Sequence, residues 1–158
     1  THWDLRDVIA VVSEDKKIIS STEGHESAQS SPFYKVRQQY IKNKISNTLT
    51  YIKQKDFKKL GELFEAEALE FHSILLTSVP PLIMWHSGTV DVMHTVQALR
   101  KTGVPVYFTL NTGFNIHVLT LPQYENRVKK ALQSLTLVKK ILTARVGDAP
   151  KEIQNHLF

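Results

Sequence analysis

A chain of 158 residues, 42% apolar and 22% charged, can bury one sizeable core, and no Pro/Gly/Ser-rich linker or charge block divides it. Its longest apolar stretches are far too short to cross a bilayer. With no cysteine it has neither disulfides nor thiolate metal sites, so a cytoplasmic protein without a signal peptide is expected. A net charge of +5 admits either nucleic acid or a small polyanion. The lysines at 35, 42, 44, 53, 55, 58 and 59 alternate with apolar positions, as on a solvated helix face, and no aromatic-interleaved basic motif for RNA occurs.

Val8–Val12 and Lys16–Ser20 are β-type runs around a polar Ser-Glu-Asp-Lys connection suited to a hairpin. Ser20-Ser21-Thr22-Glu23-Gly24-His25 then reads as a strand end passing into a helix start, with Ser21 or Thr22 as the cap and a carboxylate in the first turn. The same hydroxyls and first-turn amides could hold an anionic oxygen. Ser31-Pro32 opens a long helix to about Lys55, with Val36, Tyr40, Ile41, Ile45, Leu49 and Ile52 at helical spacing. Asp56 caps the next helix, whose stripe is Phe57, Leu60, Phe64, Phe71 and Leu75, and Pro80-Pro81 prevents its continuation. In that helix His72 is placed to brace a loop or line a cleft.

A third helix spans about Gly88–Lys101, turning Val92, Met93, Val96 and Leu99 inward, and Thr102-Gly103 closes it. Val106–Leu110 and Ile116–Leu121 are short strands around the polar turn Asn111-Thr112-Gly113-Phe114-Asn115. Pro122 opens a shorter helix to about Leu135, carrying Tyr124, Val128 and Leu132, and Val138–Val146 is a final strand. Short turns between strands favour an antiparallel sheet with helices on one side: an α+β domain of ferredoxin-like character.

Several chemistries lack their motifs. The seven histidines contain no i,i+4 pair and no His-Glu-x-x-His, so separate surface or capping roles outweigh a metal site. No Gly-x-Ser-x-Gly elbow, Walker loop or Gly-x-Gly-x-x-Gly fingerprint is present.

The Tyr107–Asn115 segment resembles the Phe-Thr-Phe/Met-Asp-Ala-Gly-Pro-Asn segment of diphosphomevalonate decarboxylases. The resemblance continues in order along the chain: Trp3-Asp4-Leu5, Ser20 to His25, Ser30-Ser31-Pro32-Phe33-Tyr34, Asp56-Phe57, Phe71-His72-Ser73, Pro80-Pro81 and Thr143-Ala-Arg-Val-Gly147. It implies the carboxy-terminal, substrate-side domain (residues 1–158) of an enzyme in the small-molecule kinase superfamily. The amino-terminal domain, with its glycine- and serine-rich ATP loop, would be absent, leaving this part inactive alone.

By that resemblance the intact enzyme would convert mevalonate 5-diphosphate and ATP to isopentenyl diphosphate, CO2, ADP and phosphate in isoprenoid biosynthesis. ATP and Mg2+ would be bound mainly by the missing domain. Ser21, Thr22 and His25, the last standing where the family usually has methionine, would lie near substrate. Asn111 replaces the aspartate that engages the substrate's tertiary hydroxyl, Thr112 an alanine and Phe114 a proline. A carboxylate accepts a proton, whereas an amide only hydrogen-bonds, and losing a general base costs on the order of 10²–10⁴ in rate. The resemblance therefore also admits a decarboxylase of a 3-phosphorylated substrate that needs no ATP, or a non-catalytic paralogue. The expected partners are a phosphorylated small molecule, the amino-terminal domain and a second copy in a homodimer, with no nucleic acid and no membrane.

Overall fold

The computed structural model describes residues 2–15 and 19–152. Among these, β1 (Arg6–Val11), β2 (Val106–Thr109), β3 (Ile116–Thr120) and β4 (Lys140–Arg145) form one sheet in the order β2-β3-β1-β4, every neighbouring pair antiparallel. Four helices lie between β1 and β2: α1 (Ser21–Ala28), α2 (Tyr34–Gln54), α3 (Phe57–Leu76) and α4 (Ser87–Lys101). A 3-10 turn at Pro122–Tyr124 and α5 (Glu125–Gln133) join β3 to β4. Helical crossovers before β2 and after β3, with β1 and β3 central, make the expected ferredoxin-like, split βαβ arrangement.

Residue alternation sets the sheet's orientation. Val8 pairs with Val118 and Ala10 with Ile116, and all four are fully buried. They face Val92 and Val96 of α4 and Val128 and Leu132 of α5 in the main hydrophobic core. Each such valine or leucine contributes about 1.5–3 kcal/mol by leaving water. The other face carries the half-buried Asp7, Ile9, His117 and Leu119. There His117 Nδ1 lies 2.8 Å from Asp7 Oδ2, and this carboxylate raises the imidazole pKa above its ordinary value.

β2 is an edge strand, and α3 runs along it. Glu65 Oε1 accepts the Phe108 backbone N–H at 3.1 Å, while both Glu65 oxygens accept from Arg100 at 2.8 and 2.9 Å. A strand edge bonded to a half-buried ion pair on a covering helix is closed to intermolecular pairing. Gly61 permits the approach, because a Cβ there would come within 2.0 Å of the Tyr107 ring.

Three expectations need correction. Of the run Lys16–Ser20, residues 16–18 lie outside the described residues, and Ile19 and Ser20 belong to no strand. The α1 cap is Ser20, one residue before Ser21 and two before Thr22: its side chain accepts the Glu23 N–H while the Glu23 carboxylate takes the Ser20 N–H. This box is the stronger solution because both partners are satisfied reciprocally.

The third correction concerns α2. The helix forms as expected, and Asp56 caps α3 by accepting the Lys59 N–H at 3.0 Å. Its apolar stripe does not face inward: Val36, Ile45 and Leu49 are 50%, 58% and 57% exposed, and α2 contains no buried residue. The half-buried face is instead Tyr34, Arg37, Ile41, Lys44, Thr48 and Tyr51, a regular i, i+3, i+7 series. Arg37 and Lys44 pair with Glu67, and Lys44 also with Glu70, both on α3. Ion pairs and snorkelling stems, not the apolar stripe, therefore set the rotation of α2. Lys44 leaves the solvated lysine face on which the sequence pattern put it. No helix among the described residues is long and apolar enough to cross a membrane.

Candidate functional site

A cleft of about 740 Å³ opens where α1, α2 and α3 meet the turn after β2. That volume suits a small molecule. Thr22, His25, Asn111 and Thr112 line it together with Arg37, Glu67 and Phe71. Three of the four expected site residues thus share one cavity although 89 residues separate Thr22 from Asn111. Ser21 is the first residue of α1, next to Thr22.

Three elements hold the turn. The Asn115 side chain accepts the Val12 and Ser13 N–H groups at 2.9 and 3.2 Å and returns an amide hydrogen to Ser13 O at 3.0 Å. It thereby continues the β1–β3 pairing where the backbone has diverged. Thr89 at the start of α4 donates to Phe114 O at 2.7 Å, and the His86 ring packs 4.5 Å from that of Phe114. His72, 1% exposed, places Nε2 3.0 Å from Asn111 O. A carbonyl only accepts, so Nε2 carries the proton and the ring is a neutral donor. Burial pushes the His72 pKa below its ordinary value and outweighs the opposing effect of the Asn111 carbonyl, which keeps the donor neutral. With its backbone tied, Asn111 exposes its residue surface to the cleft.

The α1 side is built differently. Gly24 approaches Thr112 closely enough that a Cβ would lie 3.8 Å from Thr112 Cγ2. Ala28 joins Ile74, Leu75 and Leu82 in a small separate hydrophobic cluster. Thr22 and His25 are exposed, and His25 reaches Phe71 at 6.0 Å between ring centroids. The capping box takes the Ser20 and Glu23 amides, so the amides of Ser21 and Thr22 are the first-turn donors outside that box.

Arg37, Glu67 and Phe71 also line the cleft, as do Glu26, Gln29, Tyr34 and Gln38. Sequence reasoning placed Phe71 in a core stripe and did not single out Arg37 or Glu67. The i, i+3, i+7 series through Arg37 and Lys44 was the available signal, obscured by the stronger apolar pattern beside it. Chemically the cleft offers hydroxyls, the His25 imidazole, the amides of Gln29, Gln38 and Asn111 and one paired guanidinium, all able to meet anionic oxygens, beside the carboxylates of Glu26 and Glu67. Among the described residues no three His, Asp or Glu side chains converge as metal ligands, and the carboxylates lining the cleft are those of Glu26 and Glu67.

The family model for the mevalonate 5-diphosphate decarboxylase C-terminal domain matches residues 7–155. A phosphomevalonate decarboxylase of Haloferax volcanii is 28% identical over 131 residues, covering 82% of this chain and 40% of the relative. The mevalonate pyrophosphate decarboxylase structure from Streptococcus pyogenes superposes with a TM-score of 0.85 at 28% identity, over 94% of this chain and 46% of that one. A structure described as MDDEF in complex with MVAPP, AMPPCP and magnesium gives a TM-score of 0.81 at 30% identity, over 88% of this chain and 43% of that one. The chain thus spans less than half the length of these relatives.

Proposed function

Because the chain belongs to the mevalonate 5-diphosphate decarboxylase C-terminal domain family, we propose that it forms the substrate-side wall of an enzyme converting mevalonate 5-diphosphate and ATP to isopentenyl diphosphate, CO2, ADP and phosphate. The observation that carries this reading is the shared cleft of Thr22, His25 and Asn111. In it the Thr22 hydroxyl, the neighbouring α1 amides of Ser21 and Thr22, and His25 meet phosphate oxygens of the substrate. Asn111 hydrogen-bonds the tertiary hydroxyl. Phosphorylation turns that hydroxyl into a leaving group; phosphate departs from the tertiary carbon as the carboxylate leaves as CO2, and the electrons of the broken C–C bond form the double bond.

Asn111 can orient the hydroxyl but cannot take its proton. Its backbone is already fixed by His72, so a carboxylate placed there would inherit the geometry. Asn111→Asp in the full-length protein is therefore expected to raise ATP-dependent CO2 release by tenfold or more, within the range a positioned base supplies. A slow wild type that Asn111→Asp does not accelerate would remove this account of the missing base.

ATP and Mg2+ belong to an amino-terminal domain of the same protein in this proposal; the relative holding AMPPCP and magnesium supports their use. The same proposal has the intact protein cytoplasmic and homodimeric, and a monomer in light scattering would end the dimer. A second reading is favoured by the neutral amide of Asn111. There the substrate arrives already phosphorylated on its tertiary oxygen, and turnover of mevalonate 3,5-bisphosphate without ATP is its signature. Silence with every substrate would leave the non-catalytic paralogue.

A further inference from the structure

We propose that Arg37 is a specificity-determining receptor for an anionic oxygen of the substrate, held in reserve by Glu67 until the cleft is filled. This rests on the reading of the cleft given above.

Among the described residues, two half-buried Arg–Glu pairs involve glutamates of α3, and they differ in how fully the arginine is used. Arg100 gives both terminal nitrogens to Glu65 and bonds Val106 O as well at 3.0 Å. Its pair is bidentate and additionally anchored, as a strut should be. Arg37 pairs with Glu67 through Nη2, and its Nε is buried without a hydrogen-bond partner. Its side chain is 17% exposed, with the guanidinium 5.8 Å from the Phe71 ring centroid. Among the described residues lining the cleft it is the one Lys or Arg. An unsatisfied buried donor is costly, and an incoming phosphate or carboxylate oxygen would relieve it.

Partner exchange leaves Glu67 with a second cation in contact. Glu67 bonds Arg37 through Oε1 and Lys44 Nζ through Oε2, the latter at 2.8 Å. If Arg37 turns to a ligand, Glu67 keeps Lys44, which it shares with Glu70. Glu67 thus acts as a placeholder for the ligand's anion, and substrates without that anion cannot draw Arg37 away.

The test measures affinity of the full-length protein by calorimetry for mevalonate 5-diphosphate, mevalonate 5-phosphate, mevalonate and inorganic pyrophosphate. Arg37→Gln is expected to weaken the phosphorylated substrate about tenfold or more, from the loss of a charge-assisted bond. Arg37→Lys recovers part of this, and Glu67→Gln binds at least as tightly as wild type because its arginine is released. The same loss with pyrophosphate assigns Arg37 to the phosphate end, and the same loss with mevalonate assigns it to the carboxylate; both support the proposal. Arg37→Gln within twofold of wild type would overturn it. So would Glu67→Gln weakening binding as much as Arg37→Gln, the behaviour of a strut. Should Arg37→Gln fail to fold, Arg37→Lys and Glu67→Gln decide by the same signs. A wild type that binds neither phosphorylated mevalonate would overturn the reading of the cleft and this inference together, whereas wild-type binding indifferent to Arg37 overturns this inference alone.

Discussion

The cleft has two unlike walls. The turn carrying Asn111 rests on the main core and is tied to three different elements, by His72 of α3, by Thr89 of α4 and, through Asn115, to the residues that follow β1. The α1 wall carrying Thr22 and His25 rests on a cluster whose buried members are Ala28, Ile74, Leu75 and Leu82. Of residues 22–28 of α1, Gly24 and Ala28 are buried. Local opening free energy follows buried contact and hydrogen bonding. The reacting centre would therefore be held before substrate arrives, while the surface meeting the anionic end can adjust to its size.

The largest test of this contrast is a pair of truncations. Phe108→Ala, in the fully buried part of β2, should cost about 3–5 kcal/mol of global stability. Leu82→Ala is also a large truncation, about 2–5 kcal/mol by type, but it should fall at the lower end and loosen α1 first. Urea unfolding with hydrogen exchange reads both; equal costs and uniform loss of protection would erase the distinction between the walls.

Next in size is Gly61→Ala. The new methyl meets the Tyr107 ring, which is itself packed by Phe57 and the Arg100 guanidinium. Overpacking of this kind costs about 1–3 kcal/mol. A melting temperature equal to wild type would show that α3 is not pressed on the β2 edge. A smaller effect, about 0.5–2 kcal/mol, is expected of Ser20→Ala, confined to faster exchange in α1; equally faster exchange at Asn111 would contradict the separation.

The smallest effects come from two histidines that titrate in opposite senses. His72 has a folded pKa below its unfolded value of about 6.5, since burial disfavours its cation. The unfolded chain then binds more protons, and stability is lost as pH falls below that value. His117 is raised by Asp7, so its contribution is present below the unfolded value and is lost as pH rises through the folded one. Thermal unfolding from pH 5 to 8 should show His117→Gln flattening the fall on the high-pH side and lowering the acid side without changing its slope. Any other assignment of slopes breaks the opposition.

Much of the sheet was legible because one side of each central strand is fully buried, which forces the alternation of Val8, Ala10, Ile116 and Val118. The turn was legible through Gly113 and its asparagines, and so was the neighbourhood of Thr22, His25 and Asn111 through the family resemblance. The rotation of α2 was not, because its inward contacts are made by Arg37 and Lys44, residue types that pattern reading assigns to water. Burial of a charge is decided by its partner on another helix, and no local periodicity records where Glu67 will lie. The Ser20 cap was missed for a smaller reason: three consecutive hydroxyl residues all satisfy the cap chemistry, and only the Glu23 contact selects among them.

One measurement bears most directly on the central claim that α1 and the β2–β3 turn form the two walls of a substrate site. Hydrogen exchange of the full-length protein, with and without mevalonate 5-diphosphate, should show added protection across residues 20–28 and 109–115, larger in the first segment because the second is already held. Protection confined to the open sheet face around Ile9 and His117, or no change in either wall under saturating ligand, would contradict the account.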